Sequence, residues 1–385
     1  MSIEKLHQDT LRRQKEFPVC KDSIFLSHAG VSPLPACVQS AIDDYLKQAT
    51  LKHQEDIVNT GFLTSIREGA ARLLGCHKSE IALVGPTSVG LSLIANGLDW
   101  QSGDRVAFYK DDFPSNAFPW MAMAAKGVET DLIQPKQLGA ITLDDVKKVI
   151  SKKTRLVSVA SAHFVSGYRV DIDAIGTYLS DQNILFCIDG IQTLGVLDTP
   201  VANADFLAAD AHKWLLGPCG AGILYVKKRA QEKLRPTLLG WNNIFQKDFV
   251  TPAVLEFPQH AGRYEAGTSN LLGLVGLKAS LDMLLSYGIE SIEKTVIRHT
   301  EFLRTNLLER NFILAQEDNH RISAITSFRS SQYDMNRIFE NLAEHSIVTT
   351  PRVTRDGHTW IRLSPHFYNT HEELKQFFHI LDQCI

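Results

Sequence analysis

The chain lacks CxxC cysteine pairs, blocks of one charge sign and long hydrophobic stretches. Its cysteines, Cys20, Cys37, Cys76, Cys187, Cys219 and Cys384, are scattered along 385 residues. That spacing offers neither a zinc ribbon nor a disulfide framework. Lys and Arg total 40 against 43 Asp and Glu, a net charge of −3. No basic excess points to nucleic acid, and no acidic tract forms a solvating tail. No apolar run approaches the ~20 residues that a membrane helix needs. The opening MSIEKLHQDTLRRQKEFP has no apolar signal core. A cytoplasmic location, with no membrane and no nucleic-acid partner, is the expectation. No His, Cys, Asp and Glu cluster has metal-ligand spacing, so no metal is expected.

What is present suits a globular protein: 44% hydrophobic and 22% charged residues. The length predicts two or three structural units at ~100–200 residues each. Residues 1–20 read as a polar helix with apolar Ile3, Leu6 and Leu11, and helical patterns follow at 36–58 and 62–74. Short β-rich runs then alternate with helical segments. The runs are 81–84, 105–109, 155–160 and 184–189, with further strands near 204–209 and 221–226. Near-continuous apolar strands in such alternation predict a mainly parallel sheet covered on both faces. After Pro258 the pattern changes to two long helices (272–287 and 289–310), strands at 322–328, 347–349 and 359–363, and a last helix at 371–384. The predicted division is an N-terminal segment 1–20 packing with the small domain, a large domain 21–257 and a small α+β domain 258–385.

Two positions stand out chemically. Asp189 closes the strand ILFCID, and an Asp at the carboxyl end of a strand in an open α/β sheet faces the ligand crevice. The bland alternative is a turn or helix cap. Lys213, in Ala211-His212-Lys213-Trp214, lies between apolar strands. Burial there would lower the pKa of its amine, as a Schiff-base lysine needs; an exposed turn lysine is the alternative. Together they suit a pyridoxal phosphate site, with Lys213 on the aldehyde carbon and Asp189 on the pyridinium nitrogen. Thr87 and Ser88, in VGPTSVG between a strand and a helix, would offer hydroxyls and N–H groups to a phosphate, or merely cap the helix. No GK[ST] follows, so this is not a P-loop. Pro86 rules out a Gly-x-Ser-x-Gly elbow.

The stretches GPTSVGLSLIANGL, CIDGIQTLG, AHKWLLGPCGAGILY, RYEAGTSN and IRLSPHFYNTHEEL together resemble the class V aminotransferase family of fold type I pyridoxal phosphate enzymes. That family includes cysteine desulfurases, isopenicillin N epimerase-like proteins, C–S lyases and kynureninases. The resemblance implies an α/β fold: a large domain with a mostly parallel seven-stranded sheet, and a small α+β C-terminal domain. It implies pyridoxal 5'-phosphate as cofactor and a small amino acid as substrate. Lys213 would be the Schiff-base lysine and proton shuttle. Asp189 would bind the ring nitrogen, Gln192 would lie near the ring hydroxyl oxygen, and Thr87, Ser88 and His212 would surround the phosphate. Thr268 would reach the phosphate of a neighbouring subunit, which implies a homodimer with shared sites. Arg362 would grip the substrate carboxylate as a planar fork. His28 is expected either at the mouth of the site or holding a turn.

The sequence departs from the desulfurase pattern. Where desulfurases stack a His on the ring, the resemblance aligns Phe113, which can stack but cannot exchange protons. Where they carry a catalytic Cys, the loop 347–360 has none, so a persulfide mechanism fails. Asp210 replaces a common Ser and is expected to point away from phosphate or bond backbone. Phe164 aligns loosely with a substrate-facing position. Arg352, Arg355 and His358 either select an acidic side chain or form a solvated loop. The expectation is therefore a transaminase or a C–S lyase or epimerase-type enzyme. The alternative is a non-catalytic pyridoxal phosphate-binding scaffold or sensor.

Overall fold

The structure, a computed structural model, describes residues 1–57, 61–246 and 249–385. Among these, seven strands form the central sheet. Their spatial order is Ile81–Val84, Gly222–Val226, Phe206–Asp210, Leu185–Asp189, Thr154–Ala160, Arg105–Tyr109 and Glu129–Ile133. Gly222–Val226 alone runs antiparallel to both neighbours. All other pairings are parallel, so the expected α/β class and mostly parallel sheet are present. Every residue of Leu185–Asp189, Phe206–Asp210 and Gly222–Val226 is buried, which is why they read as unbroken apolar runs. The edge strand Glu129–Ile133 has no counterpart among the strands expected from the sequence. It exposes its first residues, and a polar edge carries no apolar signal.

The helix Thr87–Gly97 lies tightly on this sheet. A Cβ at Gly90 would sit 2.8 Å from the Ala208 Cβ, so only glycine allows the approach. The approach brings Thr87 to the end of Phe206–Asp210, where its Oγ1 accepts from the Asp210 N–H at 2.9 Å.

A four-stranded antiparallel sheet follows, ordered Thr350–Val353, Thr359–Leu363, Thr326–Arg329, Ile313–Leu314. Its core holds Leu303, Leu307, Phe328, Ile361 and Phe377, and also Ile24 and Leu26 from the start of the chain. The strand Ile24–Phe25 pairs in parallel with Ile347–Val348. Residues 24–26 thus pack with the C-terminal sheet although the division at 21 assigns them to the large domain. Conversely, the helix Leu271–Tyr287 buries Leu274, Leu277, Leu281 and Leu284 in the same core as Val157, Phe186 and Ile188, although the division at 258 assigns it to the small domain. It is apolar nearly all round, as a helix enclosed on several sides must be. Truncating Leu281 to Ala there costs about 2–5 kcal/mol.

The segment 1–20 is not one helix. Ile3–Gln8 and Thr10–Glu16 are separated at Asp9, whose side chain accepts from the Arg12 N–H (2.9 Å) and so starts a new helix. Ile3 and Leu6 are buried, but Leu11 faces solvent. The segment touches the C-terminal end of the chain: Arg13 pairs with Glu373, and Phe17 stacks on Tyr368 at 4.2 Å between ring centroids. The helix expected over 36–58 ends earlier, as Ala36–Ala49, followed by a short 3-10 turn at Gln54–Ile57. Position 58 lies outside the described residues.

Candidate active site

A cavity of about 250 Å³ opens where the carboxyl ends of the parallel strands meet the C-terminal sheet. It is lined by Thr87, Ser88, Phe113, Asp189, Gln192, His212, Lys213 and Arg362, together with Phe164 and Arg352. Eight of the expected site positions therefore come together. Thr268 does not; it lines a separate opening with Gly85 and Gly220. His28 does not line the cavity either. It is fully buried, with Nδ1 bonded to the Ser364 carbonyl (2.8 Å) and Nε2 to the Tyr368 hydroxyl (2.6 Å). Burial, with His366 adding, holds its pKa far below the usual histidine range. In this structure His28 holds the turn whose following residues, Ala29, Gly30 and Val31, line the cavity, and does not line it itself.

Asp189 ends its strand between Ala160 and Ala208. One carboxylate oxygen accepts from the Ile191 N–H at 3.1 Å. Burial, reinforced by Asp112, raises its pKa, and Lys213 opposes this more weakly. Lys213 lies in the turn after Phe206–Asp210. Ser32 Oγ donates to its carbonyl at 2.7 Å, and the Leu216 N–H does so at 3.0 Å. Its Nζ stands 5.3 Å from the centre of the Phe113 ring. Burial lowers the amine pKa. Asp189 counters this, and Arg362 and Arg352 add to it. A desolvated amine with a lowered pKa is a better nucleophile and base near neutrality.

The polar groups around Asp189 and Lys213 are tied down. Gln192 Nε2 donates to the Ala29 carbonyl (3.2 Å), and its Oε1 accepts from Trp214 Nε1 (2.9 Å). Asp210 accepts from the backbone N–H groups of Ala211 (2.8 Å) and Gly220 (3.1 Å) and bonds His212 Nδ1 at 2.6 Å. Although burial pulls the other way, these bonds hold its carboxyl below the ordinary range. Asp210 is thus a backbone anchor, as expected of it, and it also orients the His212 ring. Ser88 Oγ meets Ser115 Oγ at 2.7 Å. The loop behind Phe113 is held by Asp112, which accepts from Phe113 N–H (2.7 Å), Asn116 Nδ2 (2.9 Å) and Ala160 N–H (3.2 Å). Burial raises the Asp112 carboxyl to about 6. The sequence pattern assigns Asp112 no role. Only its bond to Ala160, beside Asp189, reveals one.

Arg362 projects from Thr359–Leu363. It is buried, and its Nη1 donates to the Phe164 carbonyl at 2.7 Å. Among the described residues its Nε and Nη2 are buried without a partner, an expensive state for a cation that a bound carboxylate would relieve.

These features fit pyridoxal 5'-phosphate. The amine of Lys213 makes no hydrogen bond among the described residues, and the buried Asp189 carboxylate accepts a single one there. Thr87 and Ser88 supply hydroxyls at the start of an 11-residue helix.

A model of the family described as aminotransferase class-V matches residues 24–377. The chain is 27% identical to a probable cysteine desulfurase of Methanothermobacter thermautotrophicus, over 96% of each chain. It is likewise 27% identical to an uncharacterized aminotransferase of Bacillus subtilis, over 95% of each. The apo structure of a cysteine desulfurase from Thermococcus onnurineus NA1 shares the fold, with a TM-score of 0.88, 24% identity and 96% coverage of both chains.

Proposed function

The chain belongs to the class-V aminotransferase family, and from that premise we propose that it is a pyridoxal 5'-phosphate-dependent enzyme. Its site would act at the α-carbon of a small α-amino acid without passing sulfur through a cysteine persulfide. The observation that carries the reading is the meeting of Lys213, Asp189 and Arg362 in one cavity that no cysteine lines among the described residues. Cys187 is buried and Cys219 exposed, both outside that lining, and burial raises the Cys187 thiol pKa, which disfavours the thiolate. The relatives named as desulfurases share the fold and most of the length, so the difference rests on this chain's own residues.

When bound, the cofactor supplies an electron-withdrawing ring that stabilises the charge left when a bond at the α-carbon breaks. The residues do the rest. Lys213 Nζ would hold the cofactor and, once the substrate amine replaces it, take the α-proton and return it. Asp189 would keep a proton on the ring nitrogen. Thr87, Ser88 and His212, with Asp210 behind His212, would hold the phosphate. Gln192, fixed by Ala29 and Trp214, would sit beside the ring hydroxyl oxygen. Phe113 would cover the ring and exclude water. Arg362 would bind the α-carboxylate through Nε and Nη2.

Lys213 is the one amine in the cavity lining among the described residues, and Phe113 facing it cannot exchange a proton. That supports proton movement on a single face, as in transamination or loss of a β-substituent, over two-base epimerisation. The working form would be a homodimer, with Thr268 serving the second copy. Exposed Leu238, Leu239, Trp241 and Phe245 give it apolar surface to bury.

The test adds pyridoxal 5'-phosphate to the purified protein and to Lys213→Ala. A visible absorbance present only in the parent, and perturbed by L-amino acids with release of keto acid, ammonia or sulfide, supports the reading. No Lys213-dependent absorbance would overturn it. A protein-bound persulfide formed from cysteine would overturn the sulfur clause alone.

A further inference from the structure

Arg352 lies on the edge strand Thr350–Val353, which pairs antiparallel with Thr359–Leu363. Thr350 stands opposite Arg362 and Arg352 opposite Trp360. Side chains two apart on a strand share a face, so Arg352 and Arg362 point the same way as diagonal neighbours, roughly 7–8 Å apart at Cα. Both line the cavity.

The other ionisable side chains of this loop already have partners. Arg355 pairs with Asp111, and His358 stands 3.9 Å from Asp356. Arg352 pairs with no carboxylate among the described residues. Its Nη1 donates to the Pro351 carbonyl at 3.2 Å. Burial alone lowers its ionisation, with no carboxylate contributing. Its charge lowers the pKa of Arg362 after burial itself, and it is also felt at Lys213. Two like charges half or fully withdrawn from water, on one face, without an anion, are unfavourable in the empty protein. A ligand carrying two anionic groups would relieve both.

We propose that Arg352 binds a side-chain carboxylate while Arg362 holds the α-carboxylate, so that the substrate class is an aminodicarboxylic acid. The inference rests on the reading above for the identity of the site and adds its substrate class. The edge position suits this role. Arg352 is partly open to solvent and its guanidinium can adjust to side-chain length, whereas the deeper Arg362 is fixed by the Phe164 carbonyl.

The test measures equilibrium binding of succinate and propionate to the cofactor-loaded protein by calorimetry, with no turnover involved. The parent should bind succinate about tenfold or more tightly than propionate, the effect of one additional charge-assisted contact. In Arg352→Gln that ratio should collapse towards one, and in Arg352→Lys it should be partly kept. Turnover should follow the same order, with the specificity of the parent favouring L-aspartate or L-glutamate over L-alanine, chiefly through KM. Equal affinity for the two acids in the parent would overturn the substrate class. A preference that survives Arg352→Gln would overturn the assignment to Arg352. Either result leaves the Lys213-dependent absorbance intact, so it is distinguishable from failure of the broader reading.

Discussion

At the carboxyl ends of Leu185–Asp189 and Phe206–Asp210, buried groups of opposite sign, Asp189 and Lys213, share one space. On the facing sheet, two groups of the same sign, Arg352 and Arg362, share one face. The first wall is nearly self-sufficient. Burial raises the pKa of Asp189 and lowers that of Lys213, so both are driven towards neutrality, and each mitigates the isolation of the other. The second wall has no such escape. A guanidinium keeps its charge under almost any burial, and Arg362 leaves Nε and Nη2 without partners among the described residues. One wall is arranged for protons and the other for anions, and the physical cost falls mainly on the second.

The largest expected effect breaks the first wall. Lys213→Ala removes both the anchor and the base, and activity with any amino acid should fall by about 10³-fold or more. Steady-state rates alongside the visible spectrum check this; residual activity within tenfold of the parent would detach Lys213 from the chemistry. Next comes the second wall. Arg362→Gln should lower kcat/KM by about 10²-fold. The melting temperature of the cofactor-free protein should nonetheless hold or rise, because no protein anion is left unpaired. A marked drop in stability would show that Arg362 is structural in the empty protein, and the contrast between the walls would disappear.

Much of the first wall was legible in the sequence, because its residues belong to local motifs at strand ends: Asp189 after ILFCI, Lys213 after ADFLAAD, and Thr87 between a strand and a helix. The second wall was legible only in part. Arg362 stood in a recognisable stretch, but Arg352 depends on the register of a strand that contains Pro351 and gives no β signal. Such a proline is tolerated because Thr350–Val353 is an edge strand. His28 stayed open between two roles for a related reason. Its SHAGVSP loop allows either the mouth of the site or a turn, and what decides for the turn, its partners Ser364 and Tyr368, lies more than 300 positions away. The break at Asp9 was readable in principle, since Asp is a strong helix N-cap. The helix Leu271–Tyr287 reads the same whichever core it enters, so the domain division could not be placed from its pattern.

A smaller effect is expected one layer behind the first wall. Asp210→Asn can keep the bond from the Ala211 N–H through its one remaining oxygen, but its amide nitrogen then takes the place of the oxygen that accepts from the Gly220 N–H and bonds His212, so that acceptor and the charge that orients His212 are lost. Affinity for pyridoxal 5'-phosphate should fall by about tenfold, near the value of one hydrogen bond to a charged group. Equilibrium titration by absorbance measures this. Unchanged affinity would mean that His212 needs no anchor.

The smallest effect concerns stability and carries a definite sign. In the cofactor-free protein, Asp189 has a folded pKa above its ordinary 3.8, because burial and then Asp112 outweigh the attraction of Lys213. Asp112 is raised as well, to about 6. Such groups bind more protons folded than unfolded. Their contribution is therefore fully present below the ordinary carboxylate range and is lost as pH rises through the folded value. Lys213 has the opposite sign, since a lowered lysine pKa favours the folded state only as pH rises into the alkaline range. Between about pH 4.5 and 7 the carboxylates dominate. Asp189→Asn, of nearly equal volume and unable to ionise, removes one of them. Relative to the parent, it should gain about 1–3 kcal/mol of stability over that interval, read from urea denaturation midpoints at the two ends. A relative loss instead would mean that the ion pair with Lys213 outweighs burial, and that the first wall depends on its opposite charges as strictly as the second depends on its ligand.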